Sequence, residues 1–554
     1  MSSRNCVAIL LLFVFWNCNK KSSDGNPGMP PANFSSTGVK LDEHSVNSSN
    51  YNVNISPILK FSFSAAINRS TVNSAFSFAD KTGIIVPYTV AYENNDNTII
   101  IQPSANLKYL TKYSVSASTS LKSTTGGSLI GGVTVNFATT IDSSRKFPVV
   151  SDSALLDLIQ QQTFKYFWDF GHPVSGMARE RNTSGETVTT GGTGFGIMAI
   201  PVAINRNFTT RTEGLSRVQK IVSFLKNTAP NFHGAFSHWM NGTTGAVVPF
   251  APNDDGADLV ETSFMMMGLL TARQYFSIAN AAETTLRSDI NSLWNAVEWD
   301  WFRQNGKNVL YWNWSPNSGW AVNVPIQGWN ECLITYVLAA SSTTHGITKA
   351  VYDSGYTRSG AMKNNNSYYS YTLPLGEPYG GPLFFEHYSF LGIDPNGLSD
   401  AYANYKTQTL NHTKINYEYC KANPKQYFGY SDSCWGLTAS DIENGYTASS
   451  PTNDVGVIAP TAAISSFPYT PTESMQALKF YYYVLGDKLW GDYGFKDAFS
   501  LQDIWFADSY LAIDEGPIIG MIENYRTGLL WNLFTTCPEI KSGMTSLGFN
   551  APYL

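Results

Sequence analysis

The carboxylates best placed to do chemistry in this chain fall in one run, Asn253-Asp254-Asp255-Gly256-Ala257-Asp258-Leu259-Val260-Glu261. Asp254, Asp258 and Glu261 are spaced i, i+4, i+7, which puts all three on one face if a helix runs through them. Three like charges on one face oppose folding unless a site or solvent exploits them. Capping and the helix dipole account for acids at a helix start such as Asp254 and Asp255, but not for Glu261, a turn deeper beside Val260 and Phe264. A fourth acid, Glu331, lies in Trp329-Asn330-Glu331-Cys332-Leu333-Ile334, an apolar helix start preceded by Trp312, Trp314 and Trp320. A carboxyl in such surroundings either hydrogen-bonds a neighbouring loop or has the raised pKa that suits a general acid. Asp254, Asp258, Glu261 and Glu331 are therefore the candidate catalytic residues, with acid and base unassigned.

Around them lie side chains suited to sugar hydroxyls and sugar faces. His238 and Trp239 end the run Phe232-His233-Gly234-Ala235-Phe236-Ser237-His238-Trp239. Arg179 and Glu180, Trp314 and Trp329, and Glu386 with His387 in Phe384-Phe385-Glu386-His387-Tyr388 complete the set of candidate substrate contacts. The loop Thr189 to Gly196 is glycine-rich but lacks the Gly-x-Gly-x-x-Gly spacing and the strand–helix context of a nucleotide site. Asp394-Pro395-Asn396-Gly397 lacks the full spacing of a calcium loop. Gly-x-Ser-x-Gly, a Walker loop and His-Glu-x-x-His are absent, and seven scattered histidines without paired cysteines suggest no metal and no cofactor. With 36 Lys and Arg against 42 Asp and Glu, the net charge of −6 leaves no basic surplus for nucleic acid. Paired acids amid tryptophans, on a chain with only 14% charged residues, point to glycoside hydrolysis.

Two kinds of element must position these residues. The N-terminus reads as a lipoprotein signal: Arg4, the apolar run Val7–Trp16, then Cys18 as the lipidation site. Residues 1–18 are expected to be the signal peptide and 19–40 a flexible linker, so the membrane is met only through the lipid anchor and the protein is exported to the cell envelope. From 41 to 145 short alternating runs, such as Pro57–Phe63, Thr98–Gln102 and Tyr113–Ala117, are separated by turn residues and predict a β-sandwich. All thirteen tryptophans outside the signal follow residue 150, where the period becomes helical. Helices are expected near 213–228, 258–278, 284–300, 326–342, 397–421, 472–486 and 516–534, with shorter ones near 194–205, 434–440 and 458–466. Eleven or twelve helices over 150–554 suit an (α/α)6 barrel. The helix after Asp258 is apolar nearly all round, as an inner barrel helix would be. Cys332, Cys420, Cys434 and Cys537 read as buried reduced thiols.

The sandwich resembles bacterial Ig-like domains through Pro57, Phe61-Ser62, Ile101-Gln102-Pro103, Leu107, Tyr113 and Phe137-Ala138-Thr139. The helical part resembles glycoside hydrolase family 144, the endo-β-1,2-glucanases with a glucoamylase-like domain. The resemblance rests on Arg179-Glu180-Arg181, Thr190–Gly196, His233–Trp239, Asp254–Thr262, Gly268–Phe276, Gly328-Trp329-Asn330-Glu331, Gly381–His387, Trp435–Ser440 and Ala459–Ala463, and covers about 153–545. It implies an (α/α)6 barrel, an inverting mechanism, linear β-1,2-glucan as substrate, and a cleft lined by the acids at Asp254, Asp258, Glu261 and Glu331. Trp435 joins the candidate substrate contacts on this ground. The expected protein is a monomeric endo-acting hydrolase. The alternatives are an exo-acting or transglycosylating enzyme of the same fold, and a non-catalytic glycan-binding lipoprotein.

Overall fold

The computed structural model describes residues 30–47 and 49–554. The expected signal peptide and Cys18 lie outside the described residues. The chain divides after Thr140 into two compact units.

The first unit is a sandwich of two sheets. One has five strands in the order His44–Ser45, Ser36–Leu41, Leu59–Phe63, Thr98–Pro103, Tyr88–Glu93. The other has four, Asn50–Val53, Val133–Thr139, Lys112–Ala117 and Phe76–Asp80, and its first pair is parallel. The period of two written in the sequence is the period of burial: Leu59, Phe61 and Phe63 face the core while Lys60 and Ser62 are half-exposed. Phe78 anchors the core, edge-on to Tyr113 and Phe137. The expected linker boundary at residue 40 is corrected. Ser36–Leu41 pairs with Leu59–Phe63, and Phe34 bridges Leu129, so the sandwich begins before residue 41.

The second unit is the (α/α)6 barrel. Its inner ring closes through packed neighbours. The helix Thr190–Asn205 packs on Leu259–Tyr275, and that helix on Leu333–Ser341. The ring continues through two 3-10 turns, Leu383–Glu386 and Ser389–Leu391, tied by Ser389 Oγ to the Ile334 amide and by His387 to Ser466. Pro460–Ile464 and Ala512–Thr527 complete it, the last packing back on Thr190–Asn205. Outer helices such as Asp152–Trp168, Arg211–Asn227 and Ala281–Ala296 start at side-chain caps. Ser151, Thr210 and Asn280 accept the amides of Ala154, Glu213 and Glu283, donors that a helix start leaves unpaired. Two inner helices approach backbone to backbone: a Cβ on Gly194 would lie 2.2 Å from the Phe264 carbonyl oxygen.

Several helix expectations shift. The one near 326–342 starts only at Leu333, and the one near 397–421 only at Tyr405. The segment 516–534 is two helices, broken at Gly528, whose φ is +68°. Residues 434–440 form no helix and lead into the strand Ala439–Ile442. The four cysteines of this unit are free and buried. Among the described residues no helix is long and apolar enough to cross a membrane.

Candidate active site

Asp258 is not inside a helix. Ala257–Asp258 pairs as a short strand with Asn313–Trp314, and Asp258 is the N-cap of Leu259–Tyr275. Its Oδ1 accepts the amides of Val260 at 3.0 Å and Glu261 at 2.9 Å. Asp254 lies in the turn before the strand. The expectation of one helical face carrying Asp254, Asp258 and Glu261 is thus corrected: strand pairing with Trp314 takes the backbone that a helix would need. The acids still gather, because the turn and the cap both point at His238. Its Nδ1 lies 2.9 Å from Asp258 Oδ2, and its Nε2 lies 3.9 Å from Glu261 Oε1. Burial works against an imidazolium here, but the Glu261 and Asp258 carboxylates outweigh it and hold His238 at about 9. At neutral pH His238 is a cation.

Glu261 is buried, and burial pushes its carboxyl up against the pull of His238. The Gly191 amide donates to its Oε2 at 2.7 Å. Glycine is required there, since a Cβ on Gly191 would sit 2.6 Å from that oxygen. Asp258, 1% exposed with both oxygens engaged, holds His238 and caps the helix. Asp254 is half-buried and takes a hydrogen bond from Asn313 Nδ2 at 3.0 Å. Burial, then the Asp258 charge, raise it to about 6.

Glu331 is half-buried, just before the Leu333–Ser341 helix. Burial drives its carboxyl up to about 7, and the nearby charges of Glu261 and Asp258 add to this. Its own carbonyl is held by Ser389 Oγ, which also accepts the Ile334 amide. The 3-10 turns of residues 383–391 therefore clamp the segment that carries the acid.

A second group of charges was missed by the sequence reading. Arg181 bridges Glu180 at 3.0 Å and Asp441 at 3.1 Å, and the Asp441 amide donates to Asp497 Oδ2 at 2.7 Å. Asp514 is buried within electrostatic reach of Asp497, whose charge adds to the burial that holds it up. Burial pushes Asp497 to about 7 and raises Asp514 and Glu515 strongly. Glu180 sits within electrostatic reach of both Asp441 and His238, joining the two groups. Tyr388 feels Asp514, Glu331 and Glu261 together. Asp441, Asp497, Asp514 and Glu515 come from a strand, a bend and a helix start 110 to 184 residues after Glu331, with no local spacing to announce them. Only Glu180, beside Arg181, carried a signal.

The aromatic candidates divide. Trp239 is half-buried and meets Phe250 edge-on at 4.9 Å, while His238 stacks on Phe250 at 4.2 Å. Phe250, 48% exposed, is a further platform that the sequence reading passed over. Trp314 is half-buried beside the Asp254 turn, edge-on to Trp301 and His233. Arg179 lies over the Phe170 ring at 4.7 Å, away from the His238 cluster of acids in its observed contacts. Three other candidates are corrected as substrate contacts because they are sealed in the core. Trp435 is fully buried, with its indole near the Glu473 carbonyl. His387 is buried, pushed down to about 3, and bound to Ser466 Oγ. Glu386 is fully buried, and one oxygen accepts from Trp329 Nε1 at 2.9 Å, Gln408 Nε2 at 2.9 Å and His412 Nδ1 at 2.7 Å. His412 Nε2 lies 3.0 Å from the Gly381 carbonyl oxygen. Glu386 is thus a positioning residue that fixes Trp329, two residues before Glu331. Among the described residues no group of three or more His, Cys, Asp or Glu side chains is arranged to hold a metal ion.

Half-buried carboxyls of raised pKa, a paired imidazolium and exposed aromatic faces can move protons at a bound sugar. Comparison with known proteins agrees with that chemistry. A family model described as "Putative glucoamylase" matches residues 323–538, and a bacterial Ig-like domain model matches 35–139. A curated exo β-1,2-glucooligosaccharide sophorohydrolase (non-reducing end) of Parabacteroides distasonis is 46% identical over 428 residues. That match takes in 73% of this chain and 59% of the relative, so the chain spans less than two thirds of that protein's length. A solved β-1,2-glucanase from Parabacteroides distasonis is 37% identical, with a TM-score of 0.70, over 94% of this chain and 74% of that one. The solved endo-β-1,2-glucanase of Chitinophaga pinensis, in complex with sophorotriose and glucose, is 52% identical with a TM-score of 0.72, over 73% of this chain and 100% of its own. Identity at that level over a whole relative settles the kinship: the chain belongs to glycoside hydrolase family 144, the glucoamylase-like β-1,2-glucanases, and carries a bacterial Ig-like domain before its barrel.

Proposed function

We propose that the protein hydrolyses β-1,2-linked glucan by an inverting acid/base mechanism, with Glu331 as the general acid. The observation that carries this reading is the Glu331 carboxyl, half-buried yet held up at about 7, so that it keeps a proton to give near neutral pH. Glu331 protonates the glycosidic oxygen as the bond from that oxygen to the anomeric carbon breaks. A water attacks the anomeric carbon from the opposite face and gives its proton to a carboxylate. Asp254 is our choice for that base. At about 6 it is ionised at neutral pH, and it is reachable from solvent, unlike Asp258. The Asp497–Asp514 pair is the second reading, favoured by Tyr388, which feels Asp514 and Glu331 alike. The His238 cation and the faces of Trp239 and Phe250 bind the chain.

Endo cleavage is the action we propose, supported by the likeness to the Chitinophaga protein over its whole length. Release of sophorose from the non-reducing end is the alternative, supported by the curated relative's name. Export and lipid anchoring through Cys18, and a monomeric state, belong to the same proposal and follow from the sequence reading.

A panel of β-1,2-, β-1,3-, β-1,4- and β-1,6-glucans with product sizing tests the whole. A ladder of sophoro-oligosaccharides at early times supports endo action; sophorose alone means exo action; no product from any glucan leaves a glycan-binding protein. The α-anomer should appear first by NMR, and a β-anomer would overturn inversion. Asp254→Asn and Asp514→Asn then identify the base, since loss of its general base slows turnover by about 10²–10⁴-fold.

A further inference from the structure

A pocket of about 430 Å³ lies beside the acid-bearing segment, walled by Gln327–Asn330, Arg358, Ala361, Met362, Gly376, Glu377 and Phe385. Its size is that of a small-molecule site. Asn330, on its wall, is the neighbour of Glu331, with Cα atoms about 3.8 Å apart. On the other side Phe385 meets Phe384 edge-on at 4.8 Å, and Phe384 packs on Tyr388 at 5.1 Å, which reaches the acids.

The walls are pre-set. The Gly328 amide donates to the Tyr356 carbonyl at 2.7 Å, the Gly376 amide to the Met362 carbonyl at 2.9 Å, and Asn364 Nδ2 to the carbonyls of Gly376 and Glu377, both at 3.0 Å. Arg358 and Ser359 are held at φ +51° and +55°, a left-handed conformation that costs a side-chain-bearing residue energy and that persists only where the surroundings impose it. Gln327, Arg358 and Glu377 are exposed, and neither the Arg358 guanidinium nor the Glu377 carboxylate is bound to another group of the described protein.

We propose that this pocket is a distal glucosyl subsite, taking units of the chain beyond the linkage that Glu331 cleaves. The occupant is a neutral polyhydroxylated chain. Arg358 donates to hydroxyls, Glu377 accepts from them, and Phe385 offers a ring face; an anionic ligand drawn by Arg358 would be opposed by Glu377. The inference rests on the proposed glucan hydrolysis and adds where chain length is read. Its consequence is that affinity depends on units remote from the scissile bond.

The test compares Arg358→Ala and Glu377→Gln with the wild type on β-1,2-glucan polymer and on the shortest sophoro-oligosaccharide cleaved. KM for polymer should rise by about tenfold, the effect of losing one hydrogen bond to a charged group. The rise should exceed that on the shortest substrate by at least about fivefold. Arg358→Gly removes the same guanidinium while making the left-handed backbone easier, so it should reproduce Arg358→Ala if the side chain is what binds. Equal shifts on both substrates, or no shift, overturn the subsite while leaving hydrolysis intact. A wild type that cleaves no β-1,2-glucan overturns both readings, and product sizing tells the two failures apart.

Discussion

Two glutamates of this barrel sit in similar-looking aromatic runs, Trp329-Asn330-Glu331 and Phe384-Phe385-Glu386, and have opposite fates. Glu386 is sealed at 0% exposure, with Trp329, Gln408 and His412 all held on one oxygen. Glu331 is half-buried, with no charged partner to hold it ionised, and its carboxyl rises to about 7. The first holds structure; the second keeps a proton in reserve. The difference shows that an apolar neighbourhood is not what makes a carboxyl catalytic. A carboxyl sealed in the core and gripped by several side chains becomes scaffold. One desolvated without such a grip, yet open to a ligand, becomes an acid.

The comparison can be broken most directly at Glu331. Glu331→Gln preserves shape and hydrogen bonding but cannot cycle a proton, so turnover should fall by about 10²–10⁴-fold while the melting temperature stays close to wild type. Full activity in that variant would erase the distinction between the two glutamates. Glu386→Ala should fail the other way. It strands His412 in the core and should cost about 3–5 kcal/mol of stability, read by chemical denaturation, with a smaller effect on the turnover of whatever remains folded.

The pH profile sharpens the contrast. Glu331 works protonated, and its pKa is raised, so the proton is present below about 7 and lost as pH rises through it. Asp254 works ionised and is lost as pH falls through about 6. The kcat/KM of the free enzyme should therefore peak between these values, falling about tenfold per pH unit beyond each limb. Glu331→Gln should abolish the alkaline limb in its residual activity, whereas an unchanged limb would assign that proton elsewhere.

Smaller effects are expected far from both glutamates. The segment Ile141–Leu554 has its own core and carries every acid discussed, so it should fold alone and cleave at close to the full-length rate. Loss of turnover in that segment, with the fold intact by circular dichroism, would show that the sandwich completes the cleft. EDTA should leave the rate unchanged, and a calcium-reversible loss would reopen the Asp394 turn, whose Oδ1 accepts from the amide and side chain of Asn396.

Much of this molecule is legible along the chain. The change of period from two to helical near residue 150 separates the sandwich from the barrel, because burial on one face of a strand and on a helix stripe leaves different spacings. The apolar run after Asp258 marks an inner helix, and the acids at Asp254, Asp258, Glu261 and Glu331 stand out because charge amid apolar residues is costly and rarely idle. Less was legible where the cause is remote. Asp258 is a cap rather than a helical residue because Asn313–Trp314, more than 50 positions later, pairs with it. Glu386, His387 and Trp435 look like binding residues by type, and only the packing around them shows that they are sealed in the core. The Arg181–Asp441–Asp497–Asp514 chain unites four separate segments, and no spacing encodes it. The sequence by itself determined the two architectures, the chemical class of the site and the acids worth testing, since local periodicity and residue type are written in adjacent positions. Tertiary structure alone decided which carboxyls hold protons and which hold the fold, because a pKa depends on donors, charges and water that distant segments bring together or exclude.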